Sequence, residues 1–107
     1  MHPQLRDDPI LRRFREAVGT AYGDRLERVV LFGSRARGDH RADSDYDIAV
    51  FIRNMGSLWD ETGPLADIEE EILLDSGLVI NALPFPAGAY GASTVFMHEV
   101  REDGREL

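Results

Sequence analysis

Residues 33–47 read GSRARGDHRADSDYD, a polar stretch rich in glycine, arginine and aspartate. It lies between two apolar runs, residues 28–32 and 46–52, neither of which alternates cleanly between apolar and polar positions. Short apolar runs without alternation are typical of strands that are buried on both faces. The sequence therefore predicts two neighbouring strands, joined by a loop or short helix that carries the functional residues.

A helix is predicted before the first of these strands. Asp8 can cap its start, Pro9 suits the first helical position, and Gly23 can end it. Four apolar residues recur at helical spacing and form its predicted buried stripe: Leu11, Phe14, Val18 and Tyr22.

Another helix is predicted after the second strand. A short segment around residue 58 precedes it, and the helix begins at Pro64 and ends at Gly77. Its predicted buried stripe consists of Leu65, Ile68 and Ile72.

The remainder of the chain predicts one more strand and one more helix. The strand covers residues 78–83 and is ended by Pro84 and Pro86, and the helix covers residues 93–102, with Gly104 as its cap. The inward side chains of that helix are predicted to be Val95, Phe96 and Val100. The order of elements describes an α/β domain in which helices cover a sheet of three or four strands.

Composition limits the classes of function. The chain has 107 residues and a mass of 12.0 kDa, which predicts one domain over residues 1–107. Twenty acidic residues against 12 basic ones, all of them arginine, give a net charge of −8. Because such a surface repels phosphate backbones, strong direct nucleic-acid binding is not expected, whereas a basic protein partner suits the charge.

The same composition bears on the cellular compartment. The chain has no cysteine, so disulfides and thiolate metal sites are excluded. No apolar run is long enough for a transmembrane helix, and residues 1–8 lack the apolar core of a signal peptide. We therefore expect a cytoplasmic protein that does not contact membranes.

The two ends of the polar stretch carry the candidate functional residues. Gly33 and Ser34 follow a predicted strand and open a helical turn, where free backbone N–H groups bind phosphate oxygens. Asp45 and Asp47 begin the next strand two residues apart, so both carboxylates lie on one face. Two adjacent carboxylates require a cation, and their hard oxygens suit Mg²⁺. The arrangement predicts a site for a nucleoside triphosphate and two magnesium ions.

The spacing of this stretch resembles the signature of a known family. The pattern G-S-x-A-R-G-x-x-x-x-x-S-D-x-D is matched at residues 33–34, 36–38 and 44–47. It is the pattern of the minimal nucleotidyltransferases, which belong to the DNA polymerase beta-like nucleotidyltransferase superfamily. The resemblance implies a mixed β-sheet flanked by helices, and Mg²⁺-dependent transfer of a nucleoside monophosphate, AMP from ATP. It assigns nucleotide binding to Gly33, Ser34 and Arg37, and catalysis and metal binding to Asp45 and Asp47.

The resemblance extends to a protein partner. Many minimal members of the family are antitoxins encoded beside a HEPN-domain ribonuclease toxin, and this chain resembles such MntA-like antitoxins. They bind the toxin and can inactivate it by adding AMP units to a tyrosine. The resemblance therefore implies a HEPN-domain toxin as the partner in a hetero-oligomer and as the acceptor of AMP.

One position departs from the family pattern. The superfamily places a third carboxylate on a later strand beside the aspartate pair, and the matching position here is Asn81. Asparagine carries no charge and cannot accept a proton from an attacking hydroxyl. Three interpretations stay open: an active transferase, a catalytically impaired module that neutralises its partner by forming a complex, and a sensor that binds ATP without transfer.

Several other polar and aromatic residues favour structural roles. His40 and His98 are predicted to be surface residues, because no spacing in the chain assembles a histidine metal site. The acidic run at residues 67–71 is predicted to be a solvated helix face, with a partner contact as the alternative. Trp59 could cover the core or mark an exposed patch for a partner.

Overall fold

The fold is described by a computed structural model, which covers residues 7–107. The prediction that no signal peptide is present depends on the first eight residues, and residues 1–6 lie outside the described part. Within residues 7–107, four α-helices and four strands follow in chain order: α1 Pro9–Tyr22, β1 Leu26–Phe32, α2 Ser34–Arg37, β2 Tyr46–Ile52, α3 Leu58–Ser76, β3 Ile80–Pro86, α4 Val95–Asp103 and β4 Arg105–Glu106. Among the helices of residues 7–107, none has the length and apolar character needed to cross a membrane.

The four strands form one mixed sheet in the order β3-β2-β1-β4. Strands β1 and β2 are antiparallel, β1 and β4 are antiparallel, and β2 and β3 are parallel. The predicted mixed α+β sheet with flanking helices is thus confirmed. The predicted limits of β2 are also confirmed.

Helices cover both faces of the sheet. On one face, α1 and α3 pack on β-strand side chains such as Val29, Leu31 and Ile48. On the other face, α4 contributes Met97 and Val100 to a smaller core. This two-sided burial explains why the central strands show no alternation between apolar and polar positions.

The first helix forms as its local sequence predicts. The Asp8 carboxylate accepts hydrogen bonds from the N–H groups of Ile10 and Leu11, at 2.8 and 3.3 Å, and Pro9 occupies the first helical position. All four residues of the predicted stripe are buried: Leu11, Phe14, Val18 and Tyr22. Each such side chain contributes about 1.5–3 kcal/mol when it is fully buried.

The predicted start of α3 at Pro64 is wrong. The helix begins at Leu58, because Ser57 and Asp60 form a capping box in which each side chain accepts a hydrogen bond from the other residue's backbone N–H. Pro64 lies inside the helix on its exposed side, where the carbonyl of Asp60 loses its helical partner but faces solvent.

The predicted limits of β3 are also wrong, because Pro84 and Pro86 lie within the strand. Strand β3 is at the edge of the sheet, and its odd-numbered residues turn their backbone groups toward β2, as in the bonds that Val79 and Ala87 make. The missing N–H groups of the two prolines therefore fall on the outer side, where no ladder bond is lost.

The end of the chain departs from prediction in two ways. Thr94 caps α4 through a hydrogen bond of 3.1 Å from the Met97 N–H, and this start leaves Val95 81% exposed and Met97 3% exposed. Val95 was predicted to face inward, so that prediction is wrong. The two-residue strand β4, which pairs with Val30 and Leu31, has no signal of its own in the sequence.

Candidate functional site

The site lies where three strands meet at one end of the sheet. In the antiparallel ladder, Phe32 at the end of β1 is paired with Asp47 near the start of β2. In the parallel ladder, Asp47 is paired with Asn81 near the start of β3. The sheet therefore brings Gly33, the aspartate pair and Asn81 together, although more than 30 residues of chain separate the second and third of them.

The backbone of Gly33 lies close to Asp47. Its φ is 76° and its ψ is −157°, a combination that is essentially restricted to glycine. A Cβ atom at this position would lie 2.5 Å from Oδ2 of Asp47. Glycine is thus required twice, by the backbone conformation and by the neighbouring carboxylate. The two ends of the polar stretch face each other, which is the geometry that the proposed nucleotide site needs.

The short helix α2 starts directly beside the carboxylates. The carbonyl of Gly33 accepts hydrogen bonds from the N–H groups of Ala36 and Arg37, both at 3.1 Å, and the Ser34 carbonyl accepts one from Gly38 at 2.9 Å. The first N–H groups of a helix have no partner within the helix. Ser34, which is half-buried, therefore lies at the start of a helix, and its predicted contact with phosphate stays a prediction.

Asn81 joins the two aspartates. Its Nδ2 donates to Oδ2 of Asp45 at 3.1 Å and to Oδ1 of Asp47 at 3.3 Å. Because ionised carboxylates only accept hydrogen bonds, they orient the amide nitrogen toward themselves. Both carboxylates therefore converge on one point, and the amide hydrogens offset part of their mutual repulsion.

The donor set fits a divalent cation with hard-oxygen preference. Two carboxylates that reach the same atom within 3.3 Å can reach the same ion, and rotation of the Asn81 amide would add its carbonyl oxygen. Nowhere in residues 7–107 do three histidine, cysteine, aspartate or glutamate side chains form a cluster that could hold a metal ion. An ion bound here would meet two charged oxygen donors and one neutral donor, and the predicted metal binding by Asp45 and Asp47 stays a prediction.

Arg37 forms salt bridges with two carboxylates. Its Nε donates to Asp39 and its Nη1 donates to Asp103, each at 3.2 Å. The second contact connects α2 to the end of α4. The guanidinium is partly exposed, and its predicted contact with a nucleotide stays a prediction.

Arg35 fixes the loop that leads to the aspartates, a role that the sequence did not reveal. Its guanidinium lies over the ring of Tyr46, 3.9 Å from the centroid, and donates to the carbonyls of Ser44 at 2.9 Å and Ala42 at 3.0 Å. The Ser44 hydroxyl in turn accepts from the N–H of Arg41 at 2.9 Å. These contacts hold the residues immediately before Asp45 in one conformation.

Tyr46 connects the aspartate pair to the first helix. Its hydroxyl donates to Oδ2 of Asp8 at 2.8 Å, while Oδ1 of the same carboxylate caps α1. Burial, followed by the hydrogen bond to Asp8 and the charge of that residue, raises the pKa of Tyr46 well above its usual value. Strand alternation, which places Tyr46 on the face opposite Asp45 and Asp47, is the one sequence signal for this buried role.

His40 and His98 lie outside the site. His40 and His98 are both exposed, as predicted. Neither participates in a metal-binding cluster of the described residues.

Sequence comparison finds related proteins over most of the chain. Residues 11–87 match the family model described as a nucleotidyltransferase domain. Two proteins of Methanocaldococcus jannaschii, both provisionally named protein adenylyltransferases, are similar over nearly their whole length. One is 31% identical over 98 residues, which are 92% of this chain and 95% of that protein. The other is 30% identical over 105 residues, which are 96% of this chain and 99% of that protein.

Solved structures share the fold. A crystal structure from Sulfolobus solfataricus, of a protein provisionally named a nucleotidyltransferase, has a TM-score of 0.67 at 22% identity and covers 96% of this chain and 80% of its own. A toxin–antitoxin structure with AMP-PNP has a TM-score of 0.61 at 19% identity, and the match covers 89% of this chain and 69% of that one. A mutant of the toxin–antitoxin MntA–HpeT has a TM-score of 0.58 at 20% identity, and the match covers 91% of this chain and 68% of that one. At these identities the likeness concerns the fold.

Substitution of Gly33 tests the close approach to Asp47. We expect Gly33→Ala to lower the free energy of unfolding by about 3 kcal/mol, because both the backbone conformation and the carboxylate oppose a Cβ. Gly38 also has a positive φ, 88°, but a Cβ there would meet nothing within 4 Å, so Gly38→Ala should cost only about 1 kcal/mol. Urea denaturation measures both. Adding Asp47→Ala should recover part of the Gly33→Ala loss, and equal losses for the two alanine variants would contradict the assignment.

Alkaline unfolding tests the link between Tyr46 and Asp8. The folded state keeps the Tyr46 proton at a pH where the unfolded chain releases it, so this group's contribution to stability is lost as the pH rises above about 10. Between pH 8 and pH 11 the wild type should lose about 1 kcal/mol more than Tyr46→Phe. Asp8→Asn, which removes one cause of the raised pKa, should give an intermediate slope. Parallel stability curves for all three proteins would refute the link.

Proposed function

The chain belongs to the nucleotidyltransferase domain family, and on that premise we propose that it transfers AMP from ATP to a hydroxyl group of a protein partner, with Mg²⁺. We propose further that the partner is a HEPN-domain ribonuclease toxin, for which the chain acts as the cytoplasmic antitoxin. The observation that carries the enzymatic part is the contact between the Gly33 backbone and Asp47 at the point where Asp45 and Asp47 converge.

The proposed roles follow from position. Gly33 and Ser34 would hold the triphosphate at the start of α2, because the backbone there can be approached without a side chain in the way. Asp45 and Asp47 would hold magnesium, with the Asn81 carbonyl as a neutral ligand. Arg37 would bind the phosphates by exchanging Asp39, a partly exposed partner, for a phosphate oxygen.

The reaction is a phosphoryl substitution. The acceptor oxygen bonds to the α-phosphorus of ATP, the bond from that phosphorus to the bridging oxygen breaks, and pyrophosphate leaves with the electron pair. Magnesium, when bound, neutralises phosphate charge and aligns the reacting oxygens. The acceptor proton passes to water or to Asp45, the more exposed carboxylate, because Asn81 has no basic atom.

The comparisons support the acceptor class and the partner class. Proteins named adenylyltransferases of proteins are similar to this chain over nearly its full length, which favours a protein acceptor. Two of the fold neighbours are toxin–antitoxin structures, one of them with AMP-PNP, which favours a toxin as partner and ATP as donor. The HEPN class of the toxin rests on the resemblance of the motif alone.

A second candidate function is neutralisation by complex formation without transfer. It is favoured by one observation: the amide of Asn81 already bridges both carboxylates, where a third acid would instead demand a cation. In this case the folded chain, and not the covalent AMP, would inhibit the partner. The two candidates differ in whether the aspartates are needed for neutralisation.

Removal of the aspartate charges tests the proposed function. With labelled ATP, Mg²⁺ and the co-purified partner, we expect Asp45→Asn and Asp47→Asn each to lower AMP transfer at least 100-fold, about 2.7 kcal/mol. Asp43→Asn makes the same charge change on an exposed residue of the same loop and should alter transfer less than twofold. Equal transfer by all variants would exclude an enzymatic role for the pair. A double variant that still neutralises the partner would favour the second candidate.

Introducing a third carboxylate at position 81 measures how far asparagine lowers AMP transfer. Asn81→Asp should raise transfer at least tenfold, about 1.4 kcal/mol, because a third carboxylate strengthens metal binding and can accept a proton. The same variant should unfold at a lower urea concentration in chelator than in Mg²⁺, since three carboxylates then repel one another. Unchanged transfer and unchanged stability in both conditions would show that position 81 does not face the metal.

A further inference from the structure

The outward side of α3 carries exposed apolar residues. One side of this 19-residue helix is buried through Leu65 and Ile72. The opposite side exposes two large side chains near the ends of the helix, Trp59 at 87% and Leu74 at 76%. The five apolar or small residues of this side, which we call the α3 face, are Trp59, Gly63, Ala66, Leu73 and Leu74. An exposed apolar face of this extent is typical of a protein-binding surface.

The shape of the α3 face suits another helix. Gly63 and Ala66, midway along the helix, are both exposed and small, and a Cβ on Gly63 would meet nothing within 4 Å. A shallow middle between larger residues allows the axis of a second helix to approach closely. Beside Leu73 the surface continues into a groove of about 240 Å³ that reaches Val79 on the way to β3.

The charges around the α3 face favour a partner with basic residues. Helix α3 has no basic residue, and it has seven acidic ones: Asp60, Glu61, Asp67, Glu69, Glu70, Glu71 and Asp75. Arg13 and Arg25, from outside the helix, pair with three of them, and Asp67 and Glu70 lie exposed beside the apolar residues. A second copy of the chain would set acidic helix against acidic helix, which is unfavourable. A helix with lysine or arginine beside its apolar stripe is complementary.

We propose that the α3 face binds an amphipathic helix of a different protein, one whose apolar stripe is flanked by basic residues. The face ends next to the candidate active site: the Val79 carbonyl accepts from the Tyr46 N–H at 2.9 Å, and Val79 is two residues before Asn81. The α3 face therefore leads toward the end of the sheet at which Asp45 and Asp47 lie. The inference rests on the proposed function only in taking the bound protein as the AMP acceptor.

Trp59 reports on the face directly, because it is the only tryptophan of the chain. The probe is a synthetic 20-residue amphipathic peptide without tryptophan, with leucine and alanine on one side and lysine beside them. We expect a blue shift of Trp59 emission and protection from iodide quenching on titration. A peptide with glutamate in place of lysine should give no shift. No shift with either peptide, or the same shift with both, would overturn the proposal.

Two matched variants locate the binding site. Leu74→Gln and Val95→Gln each remove an exposed apolar side chain, 76% and 81% exposed, the first on the α3 face and the second on α4. Leu74→Gln should weaken peptide binding at least tenfold, and Val95→Gln less than twofold. Equal effects would overturn the proposal. A blue shift that rises with the concentration of the chain alone would assign the face to a second copy, which also overturns it.

The experiments test partner binding by the α3 face and AMP transfer separately. The fluorescence titration needs neither ATP nor Mg²⁺, so a chain that binds the lysine peptide but transfers no AMP contradicts the proposed function alone. A chain that transfers AMP to its partner equally well with and without Leu74→Gln, and whose Trp59 emission does not respond to the peptide, contradicts the docking proposal alone.

Discussion

The contact between the Gly33 backbone and the Asp47 carboxylate is the constraint on which the site depends. Antiparallel pairing of Phe32 with Asp47 sets it, and a Cβ at position 33 would lie only 2.5 Å from the carboxylate oxygen, so any other residue there would displace the Asp47 side chain. The sheet, and not the loop, therefore determines the distance between the turn at Gly33 and the acids. Because the paired strands are rigid, the ten residues between the turn and the acids do not have to set this distance. They can instead form the contacts that stabilise the loop.

A second set of contacts fixes the start of β2. The Asp8 carboxylate caps α1 with one oxygen and accepts a hydrogen bond from the Tyr46 hydroxyl with the other. Arg35 lies over the Tyr46 ring and donates to two loop carbonyls. Since Tyr46 lies between the two aspartates in sequence and faces the core, each of its contacts restrains the acids on the outer face. The first helix, far away in sequence, thereby contributes to the precision of the site.

The sequence predicts those features that depend on local chemistry. The Asp8 cap, the stripe of α1 and the limits of β2 follow from residues within one or two turns of one another. By contrast, α3 runs through Pro64 because a capping box begins it earlier, and Val95 is exposed because Thr94 sets the phase of α4. The positions of the site residues were predicted by spacing. The contacts of Arg35 with Tyr46 were not, because they arise only when the loop folds back on β2.

Asn81 shows how one amide changes the electrostatics of such a site. Two carboxylates that converge without a cation repel each other, and the amide hydrogens at 3.1 and 3.3 Å relieve that repulsion within the chain itself. An aspartate at the same register position would add repulsion instead, so the fold would depend on bound metal for part of its stability. Asparagine therefore lowers the free energy of the metal-free state. This stabilisation reduces the net free energy gained when an ion binds. For the proposed function, a weakly charged site of this kind would favour holding the partner first, with transfer only when nucleotide and metal are both present.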